Sequence, residues 1–508
     1  MSVWTAASAS LVSARWLRGL LAIWLASSFG IFAFAGTMGL AKSRWVAVFI
    51  SIGIAAVVAW IAWNRSVLPL DEKATSPALT IVFVLAAILS LVQLARLSVF
   101  IVNPAAVSYA HPVEGLTPRH LCMTAYYVAA QSVATVPNIY DIDQYSVPIP
   151  NSDRRKPRPI GTFFDTDVYE YPPTFLLLPR TLAILTPQVL NFRMLWFGLY
   201  GSVMLIGLLA VARLFDPVVG TRVLLLSPLV LGADITIVTL QLGNLQAAVF
   251  VLAMLAMVFF TQRRYAAGGA LLAFATVSKM FPGMLIVYLA ARREWRALAW
   301  TVGSCAALVG ISFLDTGRTP YIAFLHHLPR LLSGEAFGPL HRATIAALNL
   351  SVPGLLFKLK LFGLPGGSYE VMKIVGTIYT LILLAAIVMI AMRRLNRNEQ
   401  PLIWLTILIL GSLRSPFLPG YGLFPVLWLL ILLAARVAPA VRTLCLMLVA
   451  WVVLNFSLPV FSGLDPRLLT AVTLVLQAII AVLLVLALRQ RQESLLESPV
   501  MQSVGSPS

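Results

Sequence analysis

The sequence predicts an all-α polytopic membrane protein, a bundle of about 12–14 transmembrane helices with two long segments on one side. Three observations carry this. Composition is the first: 60% of the 508 residues are hydrophobic, only 11% are charged, and the mean hydropathy is +0.90. A soluble domain carries roughly a quarter charged residues and has no way to hide so much apolar surface. The second is recurrence: uncharged runs of about 20 residues, long enough to cross a bilayer, repeat along the chain. The third is where the charge falls. The net charge of +18 comes from basic clusters between the apolar runs, as the positive-inside rule expects. No basic stripe is interleaved with aromatics, so nucleic acid is not an expected partner.

Taken in order, the runs are 17–38, 44–63, 78–102, 191–213, 222–240, 245–261, 266–291, 297–314, 371–392, 401–416, 419–435, 443–460 and 467–488. The first lies too far in and is too long for a typical signal peptide, so it is read as a retained span. With the N-terminus in the cytoplasm, the arginine clusters fall on that side. One adjustment is needed. Arg263 and Arg264 share a side with Arg292 and Arg293, yet only 266–291 lies between them. With Lys279 and Pro282 near its middle, that segment is expected to be two short helices turning at 278–283, or a re-entrant hairpin. Broken helices are tolerated where the freed backbone lines a cavity.

The expected organisation is therefore N-terminal spans (1–102), a first extracytoplasmic segment (103–190), central spans (191–314), a second extracytoplasmic segment (315–370), C-terminal spans (371–488) and a disordered cytoplasmic tail (489–508). In the first segment, 118–134 reads as an amphipathic helix opened by Thr117. The stretch 138–145 is turn-rich, and 152–159 (SDRRKPRP) is basic, proline-broken and expected to be mobile. Cytoplasmic connections are short and hold no Walker-type or G-x-G-x-x-G phosphate loop. The three cysteines, Cys122, Cys305 and Cys445, have spacings of neither a zinc site nor a disulfide framework, so no metal is expected.

Acids are scarce, 19 in all, and several gather in the first long segment: Glu114, Asp141, Asp143, Asp153, Asp165, Asp167 and Glu170. A carboxylate held at the membrane surface suits general-base work on an acceptor hydroxyl; the alternative is a set of solvated loop residues. Asp165, Asp167 and Glu170 stand out because a Pro-Pro turn and aromatics follow directly. Asp234 and Lys279 lie inside apolar runs, where charge is costly and functional by default. Lys279 and Arg414 suit a lipid phosphate, Arg through its planar fork and Lys as a point charge; a structural ion pair with Asp234 is the alternative. Gln241 and Asn244 either bind sugar hydroxyls or satisfy backbone at a helix end. His326 and His327 point to different faces of a helix and suit a surface or interfacial role. Asn349 and Ser351 begin an apolar stretch along the membrane surface, where Lys358 and Lys360 would meet anionic headgroups.

Several passages together resemble glycosyltransferase family 87: 125–130 (AYYVAA), 138–145 (NIYDIDQY), 169–179 (YEYPPTFLLLP), 241–246 (QLGNLQ), 278–282 (SKMFP), 349–351 (NLS) and 415–421 (SPFLPGY). The resemblance implies a GT-C-type membrane enzyme that moves a sugar, mannose or a related pentose, from a polyprenyl-phosphate donor to an extracytoplasmic lipid or glycan acceptor, with inversion. It needs no cofactor beyond that donor and implies a multi-pass protein of a bacterial plasma membrane. Family members often carry an aspartate four residues before the first tyrosine of the AYYVAA-like helix; Cys122 stands there, with His120 close by. The base is then His120 or an acid near the Tyr-Pro-Pro turn, Asp167 first, with Asp165 and Glu170 as alternates. Lys279 and Arg414 are the implied donor-phosphate contacts. Tyr126, Tyr127, Tyr171, Asp234, Gln241, Asn244 and Asn349 are the substrate-binding candidates. A lipid flippase or transporter, and a non-catalytic envelope-assembly protein, are the competing readings.

Overall fold

The computed structural model describes residues 14–41, 43–63, 70–105, 119–152, 155–337, 340, 342–437, 440–455 and 465–489. Thr117 and the tail beyond 489 lie outside them. Three helices come first: α1 (Ala14–Leu40), α2 (Arg44–Trp63) and α3 (Pro77–Val102). Ser76 caps α3 by accepting from Leu79 N, and Pro77 fits the first turn, where its missing N–H costs nothing. The first long segment holds β1 (His120–Leu121), α4 (Met123–Ser132), β2 (Ser146–Pro148), β3 (Arg155–Pro157), β4 (Pro159–Ile160), β5 (Phe164–Thr166) and α5 (Leu177–Leu185).

The central helices are α6 (Val189–Ala212), α7 (Pro217–Leu231), α8 (Asp234–Leu242), α9 (Gln246–Thr261), α10 (Tyr265–Ser278), α11 (Gly283–Ala291) and α12 (Trp295–Thr316). The second long segment carries α13 (Thr319–Ser333), α14 (Ala343–Leu348) and α15 (Leu355–Lys360). The chain closes with α16 (Tyr369–Ala391), α17 (Gln400–Leu413), α18 (Phe424–Arg436), α19 (Val441–Asn455) and α20 (Pro466–Arg489).

The fold is an all-α polytopic membrane bundle. Among the described residues seven helices are long and apolar enough to cross a bilayer, or eight when α7 and α8, bent by 59° at their break, count as one span. The other apolar runs fold as shorter helices, and their burial explains the difference. Nearly every residue of α9, α17 and α18 is buried. A helix apolar all round belongs in the middle of a bundle, where protein rather than lipid covers it. The longer α2, α12 and α16 leave large apolar side chains such as Trp45, Phe49, Ile311 and Leu381 exposed, as lipid-facing helices do.

Helix ends sort onto two faces. On one, Arg397 donates to Arg213 O and Leu214 O, Asn398 pairs with Asp216, Arg222 reaches Ala435 O and Val437 O, and Arg292 reaches Ala391 O and Arg393 O. On the other, Arg193 donates to Phe100 O and Ile101 O, and Arg180 pairs with Asp315. The broken segment around Lys279 forms as expected. Gly269, early in α10, lies against Trp300 and Thr301, early in α12. Both helices also contact the Pro173–Leu176 turn. They therefore run parallel, and α11 must return the chain between them.

Three expectations of the two long segments change. The helix is α4, which opens at Cys122 and is buried on nearly every side, so it is not amphipathic. It is covered by the chain that folds over it rather than by solvent. The basic stretch is not loose over its described part. β3 pairs antiparallel with β2 in the register Ser146↔Pro157, and Arg155 binds Asp143 and Ser146. In the second segment Lys358 does not meet headgroups: it is buried and donates to Thr473 Oγ1 at 2.7 Å.

Candidate active site

The site grows from one strand pairing. β1 and β5 run parallel, His120 opposite Asp165 and Leu121 opposite Thr166. The next pair in that register is Cys122 and Asp167, so His120, Cys122 and Asp167 converge. Thr124, fully buried in the first turn of α4, locks the junction. Its hydroxyl donates to Leu121 O (2.6 Å) and Asp165 O (3.1 Å) and accepts from Asp167 N at 2.9 Å. His120 Nε2 lies 3.7 Å from Asp167 Oδ2 and 3.7 Å from Cys122 Sγ. Asn244 Nδ2 reaches the same sulfur at 3.3 Å. Burial pushes the Asp167 carboxyl above its usual range, while the His120 charge, the Val168 N–H and the Cys122 thiol draw it back. The side chains stay partly open, 18% for His120 and 31% for Asp167.

Glu170 and Lys279 stand beside this group. Burial first, and then the Asp167 charge, hold Glu170 well above the ordinary carboxylate range; Lys279 offsets part of that. Lys279 follows the last residue of α10 and begins the turn into α11. Its Nζ hydrogen-bonds Gln246 Oε1 and lies 5.4 Å from the centroid of the Tyr171 ring, within cation–π range. The Tyr171 hydroxyl accepts from Tyr126 at 3.0 Å. Tyr421 packs against Cys122, Val238 and Leu242. An acid–imidazole pair, a second carboxyl, an ammonium and the Tyr171 ring thus gather in one cluster.

Several sequence candidates are placed elsewhere. Tyr126 is fully buried, and its hydroxyl also accepts from Leu245 N at 3.2 Å; it pins α4, the Tyr-Pro-Pro turn and the α8–α9 junction together. Tyr127 donates to Pro187 O and packs edge-on to Phe192. Asp165 pairs with Arg119 at 3.1 Å. Asn349 is fully buried and turned to the backbone: Nδ2 donates to Pro416 O, and Oδ1 accepts from Ser351 N and Leu418 N. Arg414 donates to Thr380 on α16. Asp234 opens α8, roughly 13 Å along the axis from Asn244 beyond its other end, and the groups whose charge acts on Lys279 are Cys122 and Glu170, neither of them Asp234. Gln241 is buried beside the α8 cap. His326 is exposed, whereas His327 stacks on Tyr140 at 4.6 Å, 13° from parallel. Burial, with the Arg330 charge, lowers its pKa to about 4.

Gln246, Tyr421, Thr124 and the part played by Cys122 were not legible as site features. Gln246 and Tyr421 sit inside the quoted motifs QLGNLQ and SPFLPGY, which was their only signal. The approach of His120 and Cys122 to Asp167 depends on strand register across a long loop.

No curated protein and no solved structure shows a match to this chain. A family model does match, over residues 169–416. That range takes in Glu170, Tyr171, Gln246, Lys279 and Arg414 and begins just after Asp167. The chain is a multi-pass membrane protein whose residues 169–416 match glycosyltransferase family 87, which indicates a membrane glycosyltransferase.

Proposed function

We propose that the protein moves a sugar, mannose or similar, from a polyprenyl-phosphate donor to a lipid or glycan acceptor on the extracytoplasmic face of a bacterial plasma membrane, with inversion, on a GT-C-type scaffold. The observation that carries this reading is the pairing of Asp167 with His120 and of Lys279 with the Tyr171 ring, with Glu170 between the Asp167 and Lys279 charges. Asp167 takes the proton of the acceptor hydroxyl as its oxygen attacks the anomeric carbon. The bond from that carbon to the donor phosphate oxygen breaks, and polyprenyl phosphate leaves with the electron pair. Lys279 faces the growing charge on the phosphate, where a fixed cation in a water-poor site acts most strongly. His120 holds the Asp167 carboxylate, and the rings of Tyr171 and Tyr421 suit the apolar faces of a sugar.

A flippase is the second reading, and one observation favours it. Transporters often use paired broken helices, and α7–α8 supplies a second break beside α10–α11. Purified protein in nanodiscs, given radiolabelled polyprenyl-phosphate mannose and a mixed lipid and glycan acceptor extract, separates the two. Label moving to an acceptor with release of polyprenyl phosphate is expected. Label crossing liposome membranes unchanged, with no turnover of several polyprenyl-phosphate sugars, would establish the flippase.

A further inference from the structure

The geometry points to a second property of the same cluster: His120, Cys122 and Asp167 form a binding site for one thiophilic divalent cation of the Zn²⁺ class, and its occupancy shuts off transfer. One potential donor atom from each residue, the His120 nitrogen, the Cys122 sulfur and an Asp167 oxygen, lies within 4.8 Å of the others. Two of the three separations are 3.7 Å. Tetrahedral zinc with Zn–N near 2.0 Å, Zn–O near 2.1 Å and Zn–S near 2.3 Å sets its ligands about 3.5 Å apart, so small side-chain movements close the set. The donors are also the right kind. A thiolate and an imidazole select zinc or cobalt over magnesium or calcium, which take oxygen ligands.

Charge and support agree with this. On binding, the Cys122 thiol releases its proton to solvent. Thiolate and carboxylate then neutralise the divalent charge, as a partly buried site requires. Asn244 Nδ2 already donates to the sulfur, a contact that steadies a metal-bound thiolate. Thr124 holds the Asp167 backbone against β1. The partial openness of His120 and Asp167 leaves a fourth position for water. The Lys279 charge opposes the ion, and the Glu170 carboxyl interacts with both Lys279 and Asp167.

The inhibitory half rests on Asp167 being the general base of the proposed function. A carboxylate lone pair given to a metal is not available to an acceptor proton.

The test uses full-length protein in detergent with Cys305→Ser and Cys445→Ser, which leaves Cys122 as the single thiol. Co²⁺ titration is expected to reach one ion per chain, with thiolate-to-cobalt charge-transfer absorption that Zn²⁺ abolishes. Adding Cys122→Ser should remove that band, and His120→Ala should weaken binding by at least about tenfold. X-ray absorption of the zinc-loaded protein should find one sulfur at about 2.3 Å, which keeps the inference testable should Cys122→Ser fold poorly. No stoichiometric cobalt, a band that survives Cys122→Ser, or zinc without a sulfur neighbour would overturn the site. Zinc is expected to suppress sugar transfer and a chelator to restore it. Zinc seated on the sulfur while transfer continues unchanged would overturn the inhibitory half and the assignment of Asp167 as base. Absence of binding with transfer intact would leave the transferase reading standing.

Discussion

His120 Nε2 stands 3.7 Å from Asp167 Oδ2, although most of the first long loop separates the two in sequence. The parallel pairing of β1 with β5 creates this contact, and it singles out one acid of a crowded segment. Asp167→Asn keeps the shape of the side chain but removes its capacity to take a proton. Transfer is expected to fall by about 10²–10⁴-fold with the protein still folded. Asp165→Asn, which breaks only the partly exposed pair with Arg119, should change transfer by less than about threefold. Initial rates with labelled donor distinguish the two. Equal loss in both variants would remove Asp167 from the role of base.

Lys279 meets the Gln246 amide and the Tyr171 ring but no carboxylate at ion-pair distance among the described residues. An ammonium held this way is available to a phosphate. Lys279→Met should lower kcat/KM for the donor by about 10²-fold, and Lys279→Arg should recover part of it. Arg414→Met is expected to cost less, because its guanidinium donates to Thr380 on α16. Donor titrations at saturating acceptor measure this. A larger loss at Arg414 would move the phosphate site.

The membrane bundle was legible because apolar run length reports directly on burial in lipid. So was the turn at Lys279, since the arginines on either side of 266–291 demanded an even number of crossings. What was hidden depends on contacts between distant segments. Asn349 looked like a sugar contact and instead holds the backbone at Pro416 and Leu418, because a buried loop must satisfy its polar groups from within. Lys358 looked like a headgroup contact and instead lies against α20. Composition gives no sign of either outcome. The convergence of His120 and Cys122 with Asp167 was invisible for the same reason: it is a matter of register, which short strands do not announce.

Gly198 of α6 crosses α1 at close range. A Cβ there would stand 2.7 Å from Gly36 Cα and 2.7 Å from Phe32 O. Both obstacles are main-chain atoms, so no rotamer change relieves them. Helices in membranes pack on such small residues because lipid supplies little driving force of its own. Gly198→Ala should therefore destabilise by about 1–3 kcal/mol, read as a lower thermal midpoint in detergent. Gly53→Ala, in the interior of α2 with open space around its Cβ position, is the control and should hold or raise the midpoint.

Lys358 provides a prediction with a sign. Its Nζ is buried and bonded to Thr473 Oγ1, whose hydroxyl donates in turn to Ala347 O at 2.7 Å. Burial brings the pKa down from the ordinary 10.5 to about 7. At pH values below that, folded and unfolded chains both hold the proton, and the folded state bears the cost of a buried ammonium. Between about 7 and 10.5 the unfolded chain binds more protons than the folded one, so this residue makes stability rise with pH across that window. Lys358→Met fills the same space without the charge and leaves Thr473 bonded to Ala347. The variant should melt higher than the parent near pH 6, and its advantage should shrink steadily toward pH 10. Thermal unfolding in one detergent across that range measures it. A constant difference at every pH would mean that Lys358 is charged and solvated in the folded protein, and that α15 does not seat against α20 as described.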